Sequence, residues 1–250
     1  MSKNARFLKI CPLYKNHEIA VIIPALNEEE ALALVLKDIP EFVDLILVID
    51  NGSSDNTLSV AKKHGAKAVS EPQRGYGKAC LTGLSVTGSE DITVFLDADF
   101  SDHPEEMALL LDPIIDDGVD LTIGSRVLGL SEPGSLNFVQ IWGNGLACFL
   151  IRLFWGYRFT DLGPFRAINR ERLNKLQMKD ENFGWTVEMQ AKAAAYKLTT
   201  RDVPVSYRNR IGVSKISGTL NGVIKAGTKI IWTIFYLRIA TIAGYKDERN

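Results

Sequence analysis

Short apolar runs alternate with longer amphipathic stretches over the first half of the chain. Residues 19–24 are rich in β-branched side chains and read as a buried strand, after which Asn27-Glu28-Glu29-Glu30 opens a helix to about residue 36. Residues 45–50 form the next strand. The turn Asn51-Gly52-Ser53-Ser54-Asp55, with its capping side chains, leads into a helix that ends near Lys63. A short strand at 66–69 precedes a helix over 75–86, opened by a glycine-rich turn. Residues 92–96 are again a strand, 104–116 a helix and 121–124 a strand. This βα alternation predicts an α/β fold: a Rossmann-like, mostly parallel sheet flanked by helices, with right-handed crossovers.

The pattern changes after Arg126. Residues 129–136 read as a loop and 138–155 as a long helix, followed by a polar segment over 160–169. A helix over 183–196, a strand over 201–207, a basic glycine-containing loop over 208–218 and a C-terminal amphipathic helix complete the chain. There is no repeat, low-complexity segment or linker, so the expectation is one domain over residues 1–250. Gln140, Asn144 and Arg152 interrupt the apolar stretch 138–155, and the run 230–237 between Lys229 and Arg238 is short. A membrane span needs about 20 apolar residues, so neither is expected to cross a bilayer. Trp232, Tyr236, Lys225, Lys229 and Arg238 on the last helix fit two placements. It is either an interfacial helix or one packed on the domain or on a partner subunit, which would make the chain a homo-oligomer.

The chain has 250 residues, with 29 basic and 30 acidic side chains and a net charge of −1. That balance excludes nucleic acid as a bulk electrostatic partner. Cys11, Cys80 and Cys148 are far apart and lack metal-ligand spacing, which points to a reducing compartment and buried thiols. The first 15 residues have no apolar core, so the expectation is a cytoplasmic protein, peripheral at most on the cytoplasmic membrane face.

The chemistry concentrates at Asp97-Ala98-Asp99, which ends the strand 92–96. Ligands of open α/β sheets bind at that edge. Two carboxylates there are costly to hold together unless a cation or a proton neutralises them. One reading is a divalent metal carrying a phosphorylated substrate. The other is a strand end followed by a helix cap, with Ser101 or Asp102 before Pro104-Glu105-Glu106. Arg74-Gly75-Tyr76-Gly77-Lys78 places two glycines at a helix start, where backbone can approach a ligand. It is not a dinucleotide fingerprint, because Cys80 stands where the third glycine belongs.

Seven motifs in order carry a family resemblance. They are Val21-Ile22-Ile23-Pro24-Ala25-Leu26-Asn27-Glu28, Val48-Ile49-Asp50-Asn51-Gly52-Ser53-Ser54-Asp55, Arg74-Gly75-Tyr76-Gly77-Lys78-Ala79 and Asp97-Ala98-Asp99. Downstream come Gly124-Ser125-Arg126, Thr160-Asp161-Leu162-Gly163-Pro164-Phe165-Arg166 and Gly212-Val213-Ser214-Lys215. Together they resemble the inverting GT-A glycosyltransferases related to dolichyl-phosphate mannose synthase and bacterial polyprenyl-phosphate glycosyltransferases.

The resemblance implies a nucleotide-sugar-binding half over 18–126, an acceptor-side half over 127–218 and an interfacial helix over 219–243. Asp97 and Asp99 would hold Mg²⁺ or Mn²⁺ against the donor diphosphate, with Ala98 between them against the substrate. Pro24, Leu26, Glu28, Val48 and Asp50 would meet the nucleoside of a GDP- or UDP-sugar. Lys78 would meet the donor, or be a solvated helix residue. Arg126, Lys215 and either Arg208 or Arg210 would clamp phosphates. Asp99, Arg126 and Asp161 would be catalytic, Asp161 by orienting the acceptor or acting as base, with a pairing to Arg166 as its structural alternative. Glu188 is a second base candidate, whereas Trp185 and Met189 read as core.

Four positions depart from the family pattern: Leu26 replaces an aromatic, Asn51 an acid, and Ser101 and Asp102 occupy the third-ligand region. The implied activity is transfer of mannose or glucose to a polyprenyl phosphate. A soluble or glycan hydroxyl acceptor is the alternative. A nucleotidyltransferase is disfavoured because no glycine-rich loop with a following lysine succeeds the first strand, and a silent nucleotide-sugar binder is disfavoured by the intact acids.

Overall fold

The computed structural model describes residues 13–212 and 220–243. Seven strands form one sheet in the order β3-β2-β1-β4-β6-β5-β7. They are β1 (Ile19–Ala25), β2 (Leu45–Asp50), β3 (Lys67–Ser70), β4 (Ile92–Phe95), β5 (Leu121–Ser125), β6 (Arg166–Asn169) and β7 (Thr200–Pro204). The helices are α1 (Glu29–Asp38), α2 (Thr57–Lys63), α3 (Tyr76–Val86), α4 (Met107–Asp117), α5 (Phe138–Trp155), α6 (Arg170–Leu176), α7 (Trp185–Ala195) and α8 (Leu220–Ile242). β1 pairs in parallel with β2 and β4, and β7 with β5, while β6 runs antiparallel between β4 and β5. The fold is of GT-A type, an α/β sheet that is mostly parallel and covered on both faces.

Alternation along the strands explains the two layers. In β1, Ile19, Val21 and Ile23 pack with Leu32 and Val35 of α1 and Leu110 and Leu111 of α4. Ile22 points the other way, into a layer with Cys80 of α3, Ile151 of α5 and Trp185 of α7. Trp185 and Met189 are core residues as expected, and Cys80 and Cys148 are buried free thiols.

Two elements differ from the sequence reading. The polar segment 160–169 contains β6, and α6 follows it. Arg166 disguises the strand. It is fully buried in the sheet, with its guanidinium donating to the carbonyls of Leu162, Gly163 and Thr186. Those acceptors satisfy the charge that burial would otherwise exclude, while burial lowers its pKa to about 10. The stretch Phe138–Trp155 is also not interrupted. It is one helix of 18 residues, long and apolar enough to cross a membrane by length and composition, and only 22% of it is buried. Its polar residues are occupied locally: Gln140 closes a capping box with Asn137, and Asn144 bonds Thr160 O and Leu162 N.

The C-terminal helix packs on the domain through Ile234 and Thr233 and by edge contact of Phe235 with Phe154. It also leaves Trp232, Tyr236, Ile239 and Ile242 exposed. Between α7 and α8 lies a cavity of about 550 Å³, in which Lys229 pairs with Asp180 and Lys192 with Glu188.

The glycines at the start of α3 serve packing. A strap over residues 179–184 crosses this helix end, where Gly77 N and Lys78 N donate to Asn182 O and Glu181 O. A Cβ at Gly75 would lie 2.1 Å from Glu181 O, and one at Gly77 1.9 Å from Asp180 O. The helix start therefore gives its first amides to the strap, which corrects the expectation that they face a ligand. Gly77→Ala is expected to destabilise the protein by about 2 kcal/mol or more, because the clash is with backbone and cannot be relieved by a rotamer. Gly143→Ala, in α5 with nothing within 4 Å of the added atom, should instead stabilise by roughly 0.5–1 kcal/mol. Urea denaturation of the two variants checks this, and equal shifts would refute the packing account.

Candidate active site

The carboxyl ends of β1 and β4, the start of α3 and the strap enclose a cleft of about 360 Å³. Pro24, Leu26, Glu28, Asp97, Ala98, Asp99 and Arg210 line it, together with Asn51, Arg74, Tyr76, Asn182 and Phe183. β1 and β4 are adjacent parallel strands, so their ends bring residues more than 70 positions apart to one edge.

Asp97 and Asp99 follow β4, and each is held by a different neighbour. Tyr76 Oη donates to Asp97 Oδ1 at 3.0 Å. Asp99 Oδ1 accepts from Ser101 N at 3.0 Å and from Ser101 Oγ at 2.5 Å, leaving Oδ2 to Arg210 Nη1 at 3.1 Å. Burial and the charge of Asp99 push Asp97 up to about 7, against the Tyr76 hydrogen bond and the arginines Arg210 and Arg126. The loop turns sharply at Phe100, whose φ of 66° is a strained conformation for a large side chain. Asp102 follows, 2% exposed, with Oδ1 lacking any hydrogen-bond partner. Burial and then the charges of Asp97 and Asp99 raise its pKa well above the usual carboxylate value.

The helix-cap reading of this segment is not what forms. The chain enters a 3-10 turn at Pro104–Glu106 whose N-cap is His103, without any side-chain cap. Ser101 instead supports Asp99. Among the described residues, no three His, Cys, Asp or Glu side chains are arranged to hold a metal ion. Asp97 and Asp99 are the paired carboxylates lining the cleft, and their oxygen chemistry fits Mg²⁺ or Mn²⁺ if a ligand completes the shell.

Arg208 and Arg210 occupy different places. Arg208 lies 3.4 Å above the Phe100 ring and donates to Phe100 O and Asp102 O, fastening the loop from outside. Arg210 enters the cleft, bridging Asp99 and Glu28, the latter at 3.1 Å. Lys215 lies outside the described residues.

Other expected site residues lie elsewhere. Val48 is fully buried in the core and has no side-chain surface for a nucleoside. Asp50 accepts from Ser53 N at 3.1 Å within the turn after β2. Lys78 pairs with Glu181 of the strap at 3.0 Å. Arg126 and Asp161 meet each other: Nε and Nη2 donate to Oδ2 and Oδ1 at 2.8 and 2.7 Å, and Arg126 N adds a third bond. Burial opposes the Arg126 charge, but Asp161 outweighs it and holds the pKa above the ordinary arginine value. Asp161 is therefore the partner of Arg126, not of Arg166. Glu188 accepts from the strap amides of Lys179 and Asp180 and pairs with Lys192. Both base candidates are engaged in holding structure.

Sequence reasoning missed Tyr76, the strap residues Asn182 and Phe183, and the work of Asn51. Asn51 Nδ2 donates to Gln73 O at 2.7 Å and Glu71 O at 3.2 Å, while Oδ1 accepts from Gly75 N at 2.8 Å. An acid at this position could not donate either bond. The departure from the family pattern at Asn51 was the available signal, since an amide gives two donors that an acid lacks.

Residues 20–176 match glycosyl transferase family 2. An uncharacterised glycosyltransferase of Mycobacterium tuberculosis is 36% identical over 211 residues, covering 83% of this chain and 94% of that protein. A dolichyl-phosphate hexose transferase of Haloferax volcanii is 29% identical over 218 residues, covering 84% and 91%. Among solved structures, glucosyl-3-phosphoglycerate synthase of M. tuberculosis in complex with Mn²⁺, uridine diphosphate and phosphoglyceric acid superposes with a TM-score of 0.70. That match is 25% identical and covers 90% of this chain and 79% of the other. The chain belongs to glycosyl transferase family 2.

Proposed function

We propose that this glycosyltransferase moves a hexose, glucose or mannose, from a UDP- or GDP-sugar with inversion, using a divalent cation held by Asp97 and Asp99. The observation that carries this reading is the buried carboxylate pair at the floor of the cleft, with Arg210 beside it. The Mn²⁺ and uridine diphosphate in the related synthase support it. A bound Mg²⁺ or Mn²⁺ supplies Lewis-acid neutralisation of the departing diphosphate. Asp97 is oriented by Tyr76 and Asp99 by Ser101, so both carboxylates are set before the donor binds.

Arg210 offers its fork to phosphate oxygens. Arg126, held along its Nε–Nη2 edge by Asp161, adds positive charge near Asp97. Pro24, Leu26 and Glu28 form the nucleoside wall, with Asp50 and Asn51 shaping the adjoining turn. Asp161 acts through Arg126 as a positioning residue.

The acceptor on this reading carries a phosphate. A soluble phosphorylated acceptor is the first reading, supported by the phosphoglyceric acid complex of the related synthase. Polyprenyl phosphate is the second, favoured by the exposed Phe138, Trp142, Phe149 and Leu153 of α5 and the exposed Trp232 and Ile239 of α8. The dolichyl-phosphate relative supports it too. On the second reading the attacking phosphate oxygen is already anionic and needs no base, which suits the engagement of Asp161 and Glu188. Peripheral membrane contact belongs to this second reading.

Incubation with labelled UDP-glucose or GDP-mannose, Mn²⁺ and either phosphoglycerate or polyprenyl phosphate, followed by organic extraction, tests the assignment. Label in a soluble phosphorylated product supports the first reading and label in the organic phase the second; donor left intact in every arm would sink the proposal. Asp99→Asn should lower turnover by on the order of 100-fold or more, as loss of one transition-state electrostatic contact does.

The raised pKa of Asp97 adds a pH test. An unfolded Asp ionises near 3.8, whereas Asp97 holds its proton to about 7 in the fold. Between those values the folded state binds more protons, so the stability of the metal-free protein should fall as pH rises through this window. Mn²⁺ affinity, which needs the ionised carboxylate, should rise through pH 7. Melting curves with and without Mn²⁺ from pH 5 to 8 would show opposite slopes; parallel curves would contradict the assignment of Asp97.

A further inference from the structure

Arg210 sits between two acids that come from distant parts of the chain. Its Nη1 is 3.1 Å from Asp99 Oδ2 and its Nη2 3.1 Å from Glu28 Oε1. Both carboxylates are over nine-tenths buried, whereas the Arg210 side chain is 30% exposed. The third donor, Nε, is buried without an acceptor. A guanidinium forms up to five hydrogen bonds in one plane, so this arrangement leaves donor capacity facing inward.

The backbone beneath Arg210 is fixed. Arg208 N donates to Ser101 O at 2.9 Å and Ile211 N to Asp99 O at 3.0 Å, clipping this segment to the loop that carries Asp99. Arg208 adds its bonds to Phe100 O and Asp102 O. Arg210 therefore stays beside Asp99 whatever its side chain does, and a change of partner needs only rotamer motion.

We propose that Arg210 is an exchangeable counter-ion for Asp99, and that Glu28 is the positioning residue that keeps it in place. Without donor, the guanidinium balances the charge of Asp99. When cation and nucleoside diphosphate bind, Arg210 leaves Asp99, remains on Glu28 through Nη2, and turns the released Nη1 to the diphosphate oxygens. The diphosphate gives the arginine a new partner, and the departure of the arginine frees Asp99 Oδ2 for the cation. Cation and nucleotide thus strengthen each other's binding, while a cation alone must displace Arg210 with nothing to receive it. This rests on the nucleotide-sugar reading for its second half only. The exchange at Asp99 is a property of the carboxylate and the arginine. It also assigns Glu28 a contact with Arg210 in addition to its place on the nucleoside wall.

Mn²⁺ binding, followed by the spin-resonance signal of the free ion, tests the exchange with and without UDP or GDP. Arg210→Gln should bind Mn²⁺ alone roughly fivefold tighter than the parent, the worth of one partly exposed ion pair, and its further gain from nucleotide should shrink. Arg210→Lys keeps the charge but cannot bridge two acids, so it should follow Arg210→Gln. Glu28→Gln should weaken binding of UDP or GDP by a larger factor than binding of the nucleoside monophosphate. Unchanged or weaker Mn²⁺ binding in Arg210→Gln would overturn the proposal, as would an Arg210→Lys variant that matches the parent. Equal loss of mono- and diphosphate in Glu28→Gln would return that residue to the nucleoside alone and overturn its positioning role. Mn²⁺ binding that tightens in Arg210→Gln but ignores both nucleotides would sustain the exchange and remove the nucleotide-sugar reading. Absence of Mn²⁺ binding in every variant would overturn both.

Discussion

Two carboxylates held side by side in a low-dielectric pocket are the constraint around which this protein is arranged. Asp97 and Asp99 sit at the end of β4 with Asp102 buried behind them. Left alone, three such groups would either drive the loop into solvent or take up protons. The fold answers with separate devices: a tyrosine hydroxyl on Asp97, a serine on Asp99, Arg210 across to Glu28, and Arg126 nearby on its own aspartate. Each device removes part of the cost and leaves a site that a doubly charged cation can complete. The strained Phe100 and the Arg208 cap on its ring hold the loop in the required turn.

The strap over residues 179–184 ties this site to the second half of the chain. It closes the start of α3 through the glycines of the Arg74–Lys78 motif, and its Asn182 and Phe183 form one cleft wall. Glu188 holds its amides from α7, and Lys229 of α8 pairs with Asp180 at 2.7 Å. The C-terminal helix is thereby connected to the cleft through Asp180 and the strap. An acidic side chain such as Glu188, which looks like a base in isolation, turns out to be the fastening of this connection.

Much of the fold was legible because β-branched runs and capped amphipathic helices state their own conformation. The six strands other than β6 and the helices α1 to α5 follow the periodicity of local sequence. β6 was not legible, since its decisive residue, Arg166, is charged and is tolerated in the sheet only by carbonyls supplied from Leu162, Gly163 and Thr186. α5 was legible as a helix but not as an uninterrupted apolar surface. Gln140 and Asn144 look like breaks until their partners at Asn137, Thr160 and Leu162 are known.

Local sequence is enough for the α/β alternation, the paired acids at a strand end and the order of motifs that resembles GT-A glycosyltransferases. Those features are local, and their physics is settled within a few residues. Long-range packing selected Arg210 rather than Arg208 to enter the cleft, joined Asp161 to Arg126, and laid the strap against Gly75 and Gly77 at the start of α3. Each of these is a choice of partner across many residues of chain. Charge and hydrogen-bonding capacity are written in the sequence, but which acceptor lies within 3 Å of a given donor is set by the packing of distant elements.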